Sequence, residues 1–113
     1  MHITTHVLDT SRGLPAANVA IVLDILTAPD KWEAVATTST NSDGRAPNLV
    51  PKHHVLAAGI YRLTFDTATY FTAQQVESFY PQVEIRFIVK DPAQHHHVPL
   101  LLSPFGYSTY RGS

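Results

Sequence analysis

The sequence predicts an all-β domain, a sandwich of two four-stranded antiparallel sheets with one short helix. Three observations carry this prediction: short stretches in which apolar and polar residues alternate, turn residues between them at regular spacing, and a single break in the alternation. A chain of 113 residues is large enough for one hydrophobic core but not for two, so we expect a single domain spanning residues 1–113.

The first half of the chain supplies three predicted strands. Residues 3–8 are rich in β-branched side chains, and residues 19–27 are apolar on nearly both faces, as expected of a central strand. Residues 32–38 form the next strand after a Pro-Asp turn. Residues 41–44 (Asn-Ser-Asp-Gly) then predict a tight turn, because Asp-Gly accommodates left-handed backbone conformations, and Arg45 follows directly.

The second half alternates again in residues 61–65 and most clearly in residues 83–89. Between these strands, residues 67–76 break the alternation and predict one short helix, with Thr67 or Thr69 as its N-cap.

The C-terminal segment predicts a hairpin. A hydrophobic run at residues 100–102 is followed by turn residues at 104–106, so residues 107–110 should fold back as a strand.

Composition excludes several classes of protein. The formal net charge is −1, which gives no basic surface for nucleic acid. There is no cysteine, and therefore no disulfide, thiolate metal site or cysteine nucleophile. No stretch approaches the roughly 20 apolar residues that a membrane span needs. The strand pattern begins at Ile3 without a signal peptide before it, so we expect a cytoplasmic protein.

Strand parity indicates where the histidines at the two ends of the chain lie. If Val98 and Leu100 fill the core, His97 points outward; if Val7 points inward, His6 points outward as well. Two histidines on the outer face of a sheet form an enclosed site only if another subunit covers them. Parity therefore predicts an oligomer.

Four segments carry a resemblance to the transthyretin-like family. They are residues 6–10 (His-Val-Leu-Asp-Thr), 13–16 (Gly-Leu-Pro-Ala), 97–100 (His-Val-Pro-Leu) and 101–109 (Leu-Leu-Ser-Pro-Phe-Gly-Tyr-Ser-Thr). The terminal Tyr-Arg-Gly-Ser at 110–113 resembles the 5-hydroxyisourate hydrolase branch of that family, and Phe-Tyr-Pro at 79–81 also fits. Two positions depart from the family pattern: His96 stands where an aromatic residue is common, and Phe105 where tyrosine is usual.

The resemblance implies a prealbumin-type sandwich that assembles as a homotetramer, a dimer of dimers, with active sites between the dimers. It implies hydrolysis of 5-hydroxyisourate to 2-oxo-4-hydroxy-4-carboxy-5-ureidoimidazoline in urate degradation, without a cofactor or metal. The residues that match the family's functional positions are His6, Arg45, His97 and the tail from Tyr110 to Ser113.

The residue types suit the opening of a lactam ring. A histidine, His6 or His97, can act as general base near neutral pH. Arg45 can stabilise the developing oxyanion and bind the substrate, which His6 also contacts. Tyr110 can bind the ring, and the terminal carboxylate of Ser113 can orient a histidine. Singly, each of these residues has an ordinary structural explanation, and only the joint pattern favours catalysis.

Two alternatives remain open from the sequence. His6, His95 and His97 could form a catalytic zinc site, since residues two apart on a strand face the same way. The chain could also be a transthyretin-like carrier of small aromatic ligands, although His6, Arg45 and His97 would make its channel polar.

Overall fold

The computed structural model describes residues 2–113, and the secondary structure within that range comprises eight strands and one helix. In chain order the elements are β1 (Ile3–Asp9), β2 (Leu14–Pro15), β3 (Ala20–Ala28), β4 (Lys31–Ser39), β5 (Gly59–Phe65), α1 (Thr67–Thr72), β6 (Val83–Val89), β7 (His96–Ser103) and β8 (Gly106–Thr109).

The strands form two four-stranded sheets, which we call the first and the second sheet. The first has the order β2-β1-β7-β8 and the second the order β4-β3-β5-β6. The predicted sandwich with one short helix is therefore confirmed, as are the C-terminal hairpin and the central position of the strand after residue 19.

The prediction that both sheets are wholly antiparallel is wrong for one pair. Strands β1 and β7 run parallel, with Thr4 opposite His97 and His6 opposite Pro99. Hairpins impose antiparallel pairing, but these two strands come from opposite ends of the chain and no turn joins them. Their relative direction is therefore set by how the whole chain crosses between the sheets.

The core fills the space between the sheets and follows the predicted alternation. On the first sheet Val7 and Leu100 are fully buried, and on the second sheet Leu23, Leu63 and Val83 are fully buried as well. Because successive side chains of a strand point to opposite faces, His6 and His97 lie on the outer face of the first sheet, both half-buried. The parity prediction is confirmed.

Helix α1 is shorter than predicted and has a different N-cap. Asp66, not Thr67 or Thr69, caps it and accepts hydrogen bonds from the backbone N–H and the hydroxyl of Thr69. The chain leaves the helix after Thr72 and takes a left-handed conformation at Gln75. No helix in residues 2–113 is long and apolar enough to cross a membrane.

Candidate active site

The parallel pairing of β1 with β7 brings together residues from the two ends of the chain. Thr4 and His6 alternate outward on β1, and the register sets them beside His97 and Pro99 of β7. The outer face of the first sheet therefore carries two imidazoles and a hydroxyl on neighbouring strands. We call this surface, with Arg45, the candidate site.

The predicted turn at residues 41–44 positions Arg45 beside His6 on β1. The backbone of Arg45 pairs with that of His6, and the Val7 N–H donates to the Gly44 carbonyl at 2.8 Å. Gly44 has φ of 74°, and a Cβ atom there would overlap the carbonyl oxygen of Val7. Glycine is therefore required for the turn to approach β1 this closely. The Arg45 side chain is exposed.

The ring of His97 is held at both of its edges. Its Nδ1 lies 2.8 Å from the Thr4 hydroxyl oxygen. Gly112 lies at the other edge: its N–H donates to the backbone carbonyl of His97 at 2.8 Å, and a Cβ atom on Gly112 would overlap Cδ2 of the ring. The C-terminal tail thus packs against His97 at Gly112, where a larger residue would not fit. Nε2 of His97 forms no hydrogen bond to any residue in 2–113.

The surroundings of His97 lower its pKa below the usual value for histidine. Burial is the largest cause, followed by the positive charge of Arg45 and then by His95 and His6; a hydrogen bond to the Thr4 backbone acts in the opposite direction. His97 is therefore neutral at physiological pH, the form that can accept a proton. The same influences indicate that Arg45 and His6 are close enough to His97 to act on it electrostatically.

Tyr110 is near His97 but is not shown in contact with His6 or Arg45 in the part of the chain that the structure describes. Tyr110 and His97 line an open cleft of about 330 Å³ between the sheets, together with Ile85, Phe87 and Val98. His6 and Arg45 do not line this cleft. The structure therefore brings His6, Arg45 and His97 together on the outer face, whereas Tyr110 shares a cleft with His97 but not with His6 or Arg45.

Ser113, the last residue, is exposed. In the part of the chain that the structure describes, no hydrogen bond or ion pair joins it to His6, Arg45 or His97. Its role as an acceptor that orients a histidine stays a prediction.

The histidine cluster does not have the arrangement of a metal site. The rings of His95 and His97 are 6.2 Å apart, and the Thr4 hydroxyl lies between their nitrogens. Across residues 2–113, no three His, Cys, Asp or Glu side chains are grouped so that they could hold a metal ion. The zinc alternative is not favoured.

Sequence reasoning did not identify two of these neighbours, Thr4 and Gly112. The signal for Thr4 was present, because it has the same strand parity as His6. Gly112 was noticed only as part of the tail, and its packing against the His97 ring depends on a contact distant in sequence.

Comparison with known proteins identifies relatives over nearly the whole chain. Residues 3–112 match the sequence model of the family described as HIUase/Transthyretin. A 5-hydroxyisourate hydrolase of Mus musculus is 48% identical over 112 residues, which covers 98% of this chain and 94% of that protein.

Two solved structures share the fold at substantial identity. The 5-hydroxyisourate hydrolase of Klebsiella pneumoniae superposes with a TM-score of 0.84 at 36% identity, covering 98% of this chain and 92% of that one. Sea bream transthyretin in complex with thyroxine superposes with a TM-score of 0.91 at 34% identity, covering 99% of this chain and 95% of that one.

Proposed function

This chain belongs to the HIUase/Transthyretin family, and we propose that it is a 5-hydroxyisourate hydrolase of urate degradation. The family resemblance predicted from the sequence is confirmed. The observation that carries the proposed activity is the grouping of His6, Arg45 and neutral His97 on one face of the first sheet. A carrier of apolar aromatic ligands has no need of two imidazoles and a guanidinium.

In the proposed reaction, His97 removes a proton from water through its free Nε2. The resulting hydroxide adds to a carbonyl carbon of the substrate's six-membered ring, and the Arg45 guanidinium stabilises the oxyanion that forms. The ring C–N bond then breaks, and the proton passes from His97 to the departing nitrogen. The product is 2-oxo-4-hydroxy-4-carboxy-5-ureidoimidazoline.

The remaining residues are assigned to binding. His6 lies on the strand beside His97 and is proposed to hold a polar edge of the substrate, as Arg45 also does. Tyr110 is 59% exposed and can contact the substrate ring from the side of the cleft. The Ser113 carboxylate is proposed as a further acceptor. The proposed reaction needs no cofactor and no metal.

The openness of the outer face supports the proposed homotetramer. Arg45 is exposed and His6 and His97 are half-buried, so a single subunit leaves the candidate site in water. A second subunit over this face would exclude bulk water and strengthen the electrostatic interactions within the site. We also keep the prediction of a cytoplasmic location.

The activity is tested by producing 5-hydroxyisourate from urate in situ and following its ultraviolet absorbance with and without this protein. We expect its decay to be strongly accelerated, with no added cofactor and with chelator present. Tight binding of an aromatic ligand with no acceleration would favour the carrier alternative. Loss of activity in chelator, restored by zinc, would favour the zinc alternative.

The assembly is tested by light scattering during gel filtration. We expect the mass of four subunits, and activity per subunit that falls on dilution when the assembly dissociates. A monomer with full activity would overturn the proposed shared site.

A further inference from the structure

A single hydroxyl bridges two histidines at the candidate site. The oxygen of Thr4 lies 2.8 Å from Nδ1 of His97 and 2.7 Å from Nε2 of His95. Strand register fixes this arrangement, because Thr4 pairs with His97 and His95 precedes β7 by one residue, which gives it the same parity as His97. His95 is exposed, whereas Thr4 and His97 are half-buried.

Counting protons limits how these hydrogen bonds can be made. A threonine hydroxyl carries one proton, so it can donate to only one of the two rings and must accept from the other. If His97 donates from Nδ1, the hydroxyl donates to His95, and Nε2 of His97 is free of a proton. If His95 donates, the hydroxyl donates to His97, and a neutral His97 carries its proton on Nε2.

Only the first arrangement leaves His97 able to accept a proton from water at Nε2. We propose that Thr4 is a positioning residue, which together with His95 as acceptor of its proton holds His97 with Nδ1 protonated and Nε2 free. The consequence for catalysis rests on the proposed function. The choice between the two arrangements rests on it as well, but the tautomer is a property of the resting protein and can be measured independently of activity.

The ring orientation that this assignment requires is supported by contacts on both edges of the ring, the Thr4 hydroxyl at Nδ1 and Gly112 at Cδ2. A ring rotated by half a turn would present Cδ2 instead of Nδ1 to the Thr4 hydroxyl and would lose this hydrogen bond. The charged and titratable groups that influence His97 from the packed elements are Arg45, His95 and His6.

The test compares Thr4→Val, which removes the hydroxyl at nearly constant shape, with Thr4→Ser, which keeps it. Imidazole ¹⁵N NMR of the substrate-free protein reports the tautomer of His97. We expect Nδ1 protonated in the wild type and in Thr4→Ser, and a loss of this preference in Thr4→Val. His95→Ala should shift the tautomer in the same direction as Thr4→Val.

Kinetics provide the second readout. We expect kcat of Thr4→Val to fall roughly tenfold or more while KM changes little, because the hydroxyl acts through His97 and not on the substrate. Thr4→Ser should stay within about threefold of the wild type.

Three results would overturn the proposal: Nε2 protonated in neutral wild-type His97, an unchanged tautomer and kcat in Thr4→Val, or an unchanged tautomer in His95→Ala, which would remove the part assigned to His95. The wild-type spectrum decides the tautomer even if a variant fails to fold. If the wild type shows the expected tautomer but does not hydrolyse 5-hydroxyisourate, the proposed function fails and the positioning by Thr4 stands.

Discussion

The two ends of the β1–β7 pair carry polar clusters of opposite character. At the end where β1 finishes, Asp9 is 1% exposed and accepts hydrogen bonds from the hydroxyls of Ser11 and Tyr70 and from the Arg12 backbone. At the end where β1 begins, the single hydroxyl of Thr4 is hydrogen-bonded to both His95 and His97, and this cluster is open to solvent.

The difference shows what each cluster can do. Burial alone would raise the pKa of Asp9, but its hydrogen bonds outweigh that effect and lower the pKa. The acceptor sites of a buried carboxylate with several donors are all used by hydrogen bonds within the fold. At the opposite end, Nε2 of His97 and the guanidinium of Arg45 have no hydrogen-bond partner within residues 2–113. We therefore expect the Asp9 cluster to govern stability and the His97 cluster to govern activity.

Removing the side chains of the candidate site should reduce activity more than any other change. His97→Ala, His6→Ala and Arg45→Ala should each lower turnover of 5-hydroxyisourate by roughly a hundredfold or more, the scale of lost acid–base or oxyanion assistance. The thermal unfolding midpoint should change little, because these side chains lie outside the core. His53→Ala, in an exposed loop, is the matched control and should keep full activity. Wild-type activity in His97→Ala would show that the His97 cluster does not govern activity.

A smaller but still large loss is expected from Gly112→Ala. The added methyl group would overlap the His97 ring and displace it, which should lower kcat roughly ten- to a hundredfold. Gly106→Ala is the control, since a Cβ atom there meets only the Ser103 hydroxyl at an ordinary 3.8 Å. Equal kinetics of the two variants would show that the tail does not support His97.

The Asp9 cluster should respond in the opposite way. Tyr70→Phe removes a 2.7 Å hydrogen bond to a buried carboxylate and should lower the free energy of unfolding by about 1–3 kcal/mol, with kcat unchanged. Urea denaturation measures the first quantity, and Tyr80→Phe, at a half-exposed tyrosine, is the control. A large fall in kcat of folded Tyr70→Phe would contradict the division between the two clusters.

The pH dependence of the Asp9 contribution follows from its lowered pKa. The stabilisation is fully present above the unfolded-state value of about 3.9 and is lost as the pH falls through the lower folded-state pKa. The effect of Tyr70→Phe on stability should therefore shrink in strong acid.

The smallest expected effect is a shift in the titration of His97. Arg45→Gln removes a positive charge that lowers the pKa of His97, so this pKa should rise, and His97 should become protonated at a higher pH than in the wild type. Arg45→Lys keeps the charge and should leave the titration nearly unchanged. Proton NMR of His97 measures both, and a lower pKa in Arg45→Gln would contradict the assigned cause.

Local sequence patterns were sufficient to predict most of the strands and the outward direction of His6 and His97. Alternation has a period of two, so once Val7 and Leu100 are assigned to the core, their neighbours must face out. The turn at residues 41–44 was likewise predictable, because Asp-Gly is a local signal.

Features that depend on distant contacts were not predictable in this way. The parallel register of β1 and β7 joins strands at opposite ends of the chain, so the pairing of Thr4 with His97 had no local signal. A glycine near a terminus usually indicates flexibility, and only the position of the His97 ring explains Gly112. Asp66 was missed for a simpler reason: the N-cap was placed at Thr67 or Thr69 within the predicted segment, although the aspartate directly before it is as good an N-cap as threonine.

We propose that His97 and Arg45 act as one unit on the substrate, and a double-mutant cycle distinguishes this from independent action. The quantity to measure is kcat/KM for 5-hydroxyisourate in His97→Ala, in Arg45→Ala and in the double variant. If the two residues act together on one transition state, the double variant should be little slower than the slower single variant. Losses that multiply, as they do for independent and distant positions, would show that His97 and Arg45 act separately.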